Sequence, residues 1–205
     1  MKCFTEFDMG VTASDDRTQI GVSDAGAQIT ASRAWAQIGS ADNEARITAS
    51  GNWAQVASAG NWAQAASSGN GAHIASSGNG AQIGSSGDWA RIASSGDGAH
   101  IASSGDVAQI ASSGEGARIT SSGDGACIAS SGGNVKIATL GSNCVMMCAG
   151  QNGRARGEIG SWIVLTEWVN GEPTVVTARI DGTTIKADTW YYAQGGQLHE
   201  GDEGE

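Results

Sequence analysis

The sequence predicts an all-β fold: a parallel β-solenoid in which two nine-residue repeats make a coil of about 18 residues, with a small antiparallel β cap at the C-terminus. Three observations carry this. A large apolar position recurs every nine residues without an insertion: Ile20, Ile29, Ile38, Ile47, Val56, Ala65, Ile74, Ile83, Ile92, Ile101, Ile110, Ile119, Ile128 and Ile137, with Met146 closing the series. Two residues earlier stands alanine from Ala27 to Ala126, then Val135 and Cys144. The composition, with 32 glycines, one proline and 5% aromatics in 205 residues, is too poor in large side chains for an ordinary α/β enzyme core.

Each element follows from the repeat. Ala-x-Ile alternates apolar and polar residues, the period of a strand. The intervening Ser-Ser-Gly-Asp/Asn supplies turn chemistry, with glycine free to take positive φ and Asp or Asn able to bond the local backbone. Nine residues cannot close around a core, whereas two repeats can; a three-sided coil of about 27 residues is the competing geometry. Fifteen repeats then make roughly seven coils, a rod of about 35 Å at 4.8 Å per coil. Each repeat buries one isoleucine, contributing about 1.5–3 kcal/mol, and each coil depends on its neighbours.

The chain divides into an N-terminal cap (1–19), the repeat array (20–149) and a C-terminal hairpin cap with an acidic tail (150–205). In the last segment SWIVLTEWV, PTVVTARI and TIKADTWYYA read as strands, with Asn170-Gly171 and Asp181-Gly182 at the hairpin turns. The formal charge of −10 divides as −2, −3 and −5 over the three regions. That balance lacks the basic footprint of a nucleic-acid binder, so no direct nucleic-acid partner is expected, and acidity favours a basic partner. No apolar run approaches the roughly 18 residues of a membrane span, and MKCFTEFDMG lacks the apolar stretch of a secretory signal. A cytoplasmic location, in a host cell, and four reduced cysteines are therefore expected.

The blocks SSGDWARIA and SSGDGAHIA resemble a family of uncharacterised phage and prophage proteins with tandem repeats of this kind followed by a short β-rich segment. Gly160–Trp168, Asp181-Gly182 and Ile185–Tyr191 carry the rest of the likeness, which covers about residues 20–195. The resemblance implies phage origin and a β-solenoid; it brings no catalytic residues.

Calcium-binding nonapeptide rolls place an aspartate two residues before the apolar anchor, where this chain has alanine, so no metal or other cofactor is expected. Four residues before the anchors stand Asp88, Asp97, Asp106, Glu115 and Asp124, following Asn52, Asn61, Asn70 and Asn79. In a two-repeat coil Asp88, Asp106 and Asp124 share one edge, and Asp97 and Glu115 the other. Two readings stand: turn capping, or an acidic ridge that imitates a nucleic-acid backbone. Trp35, Trp53, Trp62 and Trp89 lie three residues before an anchor and point outward; the first, second and fourth fall on one sheet and mark a contact surface or shield neighbouring glycines. Arg91 sits beside Trp89 and Asp88 on the same side. His73 and His100 fall on opposite sheets, and Cys144-x-x-x-Cys148 lacks a second ligand pair. No nucleophile–base pairing appears, and no enzyme is expected.

The expected function is a phage-encoded interaction protein that binds and inhibits a host protein or nucleoprotein complex with a basic groove, an antiviral defence system being one such target. Its expected contacts are Trp35, Trp53, Trp89, Asp88, Asp97, Asp106, Glu115, Asp124 and Arg91. The alternative is a structural spike or tail component of a virion; self-association is left open. An ice-binding face would want rows of threonine, which are absent.

Overall fold

The computed structural model describes residues 10–203. All regular structure among them is β, and no helix is present. The chain winds as a parallel solenoid, sending alternate four-residue strands to two facing sheets. In the second sheet Ile92 stands in register with Ile74 and Ile110. In the first, Ile101 pairs with Ile83 and Ile119. One coil is therefore 18 residues and two-sided.

Within a strand such as Arg91–Ser94 the burial alternates, with Ile92 and Ser94 inside and Arg91 and Ala93 outside. The inward set of each repeat is alanine, isoleucine, serine and glycine, so the sheets sit close together. Glycine at the inward turn position is required by close approach. A Cβ on Gly105 would fall on the backbone of Gly87, one coil back, and the same holds for each such residue from Gly51 to Gly150. Backbone bonding continues through the turns: the amide of Trp89 donates to the carbonyl of Asp106 at 2.9 Å, so coils are tied at their corners as well as along their strands.

Nine parallel strands lie in each sheet, giving a rod roughly 40 Å long rather than about 35 Å. Beyond the fifteen repeats, the last parallel strand carries Ile163, in register with Met146; the other two additional strands carry Val11, in register with Ile29, and Ala155, in register with Ile137. Both keep the nine-residue phase, but neither carries a recognisable Ser-Ser-Gly-Asp turn before it. Residues 1–9 of the expected N-terminal cap lie outside the described residues, and Gly10–Ala13 is the first solenoid strand.

At the C-terminus the strand Trp162–Val169 adds in parallel to the second sheet, then pairs antiparallel with Glu172–Arg179. Asn170 (φ 52°) and Gly171 (φ 83°) form the expected two-residue turn. Pro173, which donates nothing to a ladder, lies on this edge strand. The second hairpin differs from expectation. It joins Trp190–Gln194 to Gln197–Gly201 through Gly195-Gly196, while residues 180–189 form a loop. Asp181 organises that loop: its Oδ1 accepts amide bonds from Thr183, Thr184 and Ile185 at 2.8, 2.8 and 3.0 Å. These bonds, led by those from Thr183 and Ile185, hold its carboxyl down at about 2. Because the folded value lies below the ordinary 3.8, the contribution to folding is present above that value and is lost as pH falls through about 2. Hydrogen exchange at these three amides should accelerate across that acid range. Asp181→Ala should show the fast exchange already at neutral pH; unchanged exchange in the variant would remove the carboxylate from this role.

Candidate protein-binding edge

Two rows of turns run the length of the rod. One row, here edge one, leads from the first sheet into the second; edge two leads back. Trp35, Trp53 and Trp89 belong to edge one, where Asp88, Asp106 and Asp124 immediately precede Trp89, Val107 and Gly125. Arg91 opens the strand two residues beyond Trp89 and is exposed. Asp97 and Glu115 lie on edge two, as does Trp62. Seven of the nine residues singled out in the sequence thus share an edge, and Asp97 and Glu115 stand apart from them.

The tryptophans do not lie on the sheet face, as alternation suggested. Each occupies the turn itself in the left-handed region, with φ of 63° at Trp35, 60° at Trp53 and 56° at Trp89. In other coils the same position is Gly71, Gly80, Gly98, Gly116 or Gly125, also at positive φ. Glycine takes this conformation freely, whereas another residue pays about 1 kcal/mol or more. Val107, β-branched and at φ 57°, is the least suited of all. Valine in place of the glycine found here in neighbouring repeats is the sequence signal that marks this position.

Packing offsets this cost without burying the side chains. Trp35 stacks on Trp53 with ring centroids 5.6 Å apart and planes 12° from parallel. The ring of Trp53 lies over Gly71, and that of Trp62 over Gly80, so shielding of glycine is real. Yet Trp35, Trp53 and Trp89 remain 49%, 43% and 57% exposed, and Val107 46%.

The acidic row has a structural duty as well. Oδ1 of Asp88 accepts the amide of Asp106 at 2.9 Å, and Oδ1 of Asp106 accepts that of Asp124 at 2.9 Å. Asn52 and Asn70 make the same bond to the next coil at 3.0 Å. Capping explains a side-chain oxygen here; it does not explain a charge. Glu115 departs from the pattern, its carboxylate accepting from the Asn134 side chain at 2.9 Å.

Other features offer less chemistry. A shallow groove of about 1310 Å³ follows the outward alanines of the second sheet, among them Ala75, Ala93 and Ala111, and ends at Val175. Its walls are methyl groups and serine hydroxyls, with no charged side chain. Cys144 and Cys148 are buried free thiols, and burial pushes Cys148 up to about 12, which keeps it neutral and unreactive. Cys127 is exposed and free, and Cys3 lies outside the described residues. His73 and His100 stand on opposite sheets. Among the described residues no group of three or more His, Cys, Asp or Glu side chains could hold a metal ion. With alanine filling the inward position that calcium rolls give to aspartate, a chelator should leave the melting temperature unchanged. A fall on chelation would contradict this.

The cap holds two cation–aromatic–acid groupings that no sequence motif marks, because their members are distant in the chain. Arg156 lies 5.1 Å over the Trp190 ring and pairs with Asp188 at 2.8 Å. Arg154 lies 5.4 Å over Tyr192 and meets Asp202 at 3.5 Å. Comparison with protein-family models, curated proteins and solved structures returned no match.

Proposed function

We propose that the protein is a rigid, phage-encoded interaction module that docks edge one into a basic groove of a host protein or nucleoprotein complex and blocks it. The observation that carries this reading is the set of strained, half-exposed apolar side chains at Trp35, Trp53, Trp89 and Val107, where glycine fits without strain. Left-handed backbone filled at a cost, with the side chain still facing solvent, favours selection for contact over selection for stability. The adjoining carboxylates of Asp88, Asp106 and Asp124 add charge that capping does not need, and regularly spaced negative charge steers a basic surface in the manner of a nucleic-acid backbone. The phage setting rests on the repeat resemblance.

The test is capture from host lysate with wild type and with Trp53→Ser/Trp89→Ser. Capture of a defined complex should weaken more than tenfold in the double variant. Asparagine at positions 88, 106 and 124 should slow association and flatten its salt dependence while leaving the caps in place. Capture that ignores both sets of changes, or incorporation of the protein into virions, would overturn the proposal.

A further inference from the structure

The second sheet carries a ridge and a trough side by side along its outer face. At the start of each strand stands an outward residue, and Gln55, His73, Arg91, Gln109 and Cys127 are in register from coil to coil. Two residues on, Ala57, Ala75, Ala93, Ala111 and Ala129 form a second outward row at the same heights. Serines follow at Ser77, Ser95, Ser113 and Ser131, also exposed. These short rows line the groove of about 1310 Å³, which has no charged side chain in its walls. The first sheet does not match this. Thr48, Thr120 and Arg156 interrupt its short row, and its groove is about 530 Å³.

We propose that a second copy of the chain docks on this face as a parallel two-fold dimer, the ridge of each copy lying in the trough of the other. Ridge and trough are about three residues apart along the strand, roughly 10 Å. A two-fold axis midway between them and parallel to the rod exchanges the two and keeps every coil at its own height. Long side chains then meet alanine coil by coil, the shape complementarity that a specific interface needs. A two-fold axis along the strands would instead run the rods antiparallel, set ridge against ridge and leave trough facing trough. The parallel alignment also brings Arg91, the one arginine of the ridge, toward Asp97 on the far wall of the trough, once in each direction. Asp97 accepts the Glu115 amide through Oδ1, a bond that needs no charge. At the cap end both rows turn apolar, and the same alignment covers Trp162 on the ridge and Met147 in the trough, now 45% and 42% exposed. The face measures about 40 Å by 13 Å, so the pair buries roughly 1,000 Å², where specific interfaces begin.

The experiment is sedimentation equilibrium of the full chain over a concentration series, joined to thiol trapping. Wild type should dimerise. Ala111→Glu changes an outward residue, so its melting temperature should stay within a few degrees of wild type, yet the dimer should weaken about tenfold or more as a carboxylate enters the trough. Asp97→Asn keeps the capping oxygen, as Asn79 does natively, and should weaken the dimer about fivefold by removing both ion pairs. Under mild oxidant Ala129→Cys should give a covalent dimer through Cys127 of the second copy, and adding Cys127→Ser should remove it. Ala57→Cys, four coils away, should give none. Trapping at Ala57→Cys would mean antiparallel rods and overturn the proposal, as would a dimer indifferent to Ala111→Glu or to Asp97→Asn. A chain that stays monomeric at every concentration would overturn it as well and leave the trough to a different protein. Capture through edge one is read separately by Trp53→Ser/Trp89→Ser, so either result stands without the other.

Discussion

Ile101→Asp should abolish the cooperative thermal transition seen by circular dichroism. Ile101 is 2% exposed and stacked in register between Ile83 and Ile119, with the second sheet facing it. Removing the isoleucine loses about 2–5 kcal/mol of burial and packing, and a carboxylate without a partner in its place costs several more. A domain holds only about 5–15 kcal/mol in total. In a solenoid the damage also spreads, because each coil is the template for the next. Ile101→Ala should be milder and leave a folded, less stable rod, since Ala65 fills this position in a native coil and is itself buried. A melting temperature for Ile101→Asp within a few degrees of wild type would contradict the assigned register.

Gly105→Ala should destabilise by about 3 kcal/mol or more, for a steric reason unrelated to φ. The added methyl would overlap the backbone of Gly87, and neither partner is a side chain able to rotate away. Gly98→Ala provides the contrast. Its Cβ meets nothing within 4 Å, but its φ is +64°, so about 1 kcal/mol is expected from backbone strain alone. Denaturant melts of the two variants should therefore differ in midpoint well beyond error. Equal losses would mean that the coils do not approach as closely at Gly105 as at their strands.

The solenoid was legible because one residue type repeats at one phase. Isoleucine every nine residues dictates the strand, and closure of a core dictates two strands per coil, which the Ile92–Ile110 register bears out. The coils at Val11 and Ala155 escaped because their turns depart from the repeat and Ala155 is small. Asn170-Gly171 was readable because both residues suit positive φ in a two-residue hairpin. Asp181-Gly182 misled for a physical reason: an aspartate before glycine can begin a two-residue turn or cap three successive amides, and here it does the latter. For the edge, parity placed the tryptophans outward and grouped three of them. The left-handed backbone was not visible in the alternation, although the exchange of tryptophan for glycine at one repeat position pointed to it.

The strain at Trp53 and Trp89 is the central claim, and the most direct measurement is the melting temperature of Trp53→Gly/Trp89→Gly alongside its affinity for the captured partner. Glycine relieves the left-handed strain while giving up the partial cover over the neighbouring coil. The two effects should nearly cancel, with a melting temperature within about 4 °C of wild type and binding reduced more than tenfold. A large fall in melting temperature with binding intact would contradict the account and make the tryptophans a shield for the alanine core.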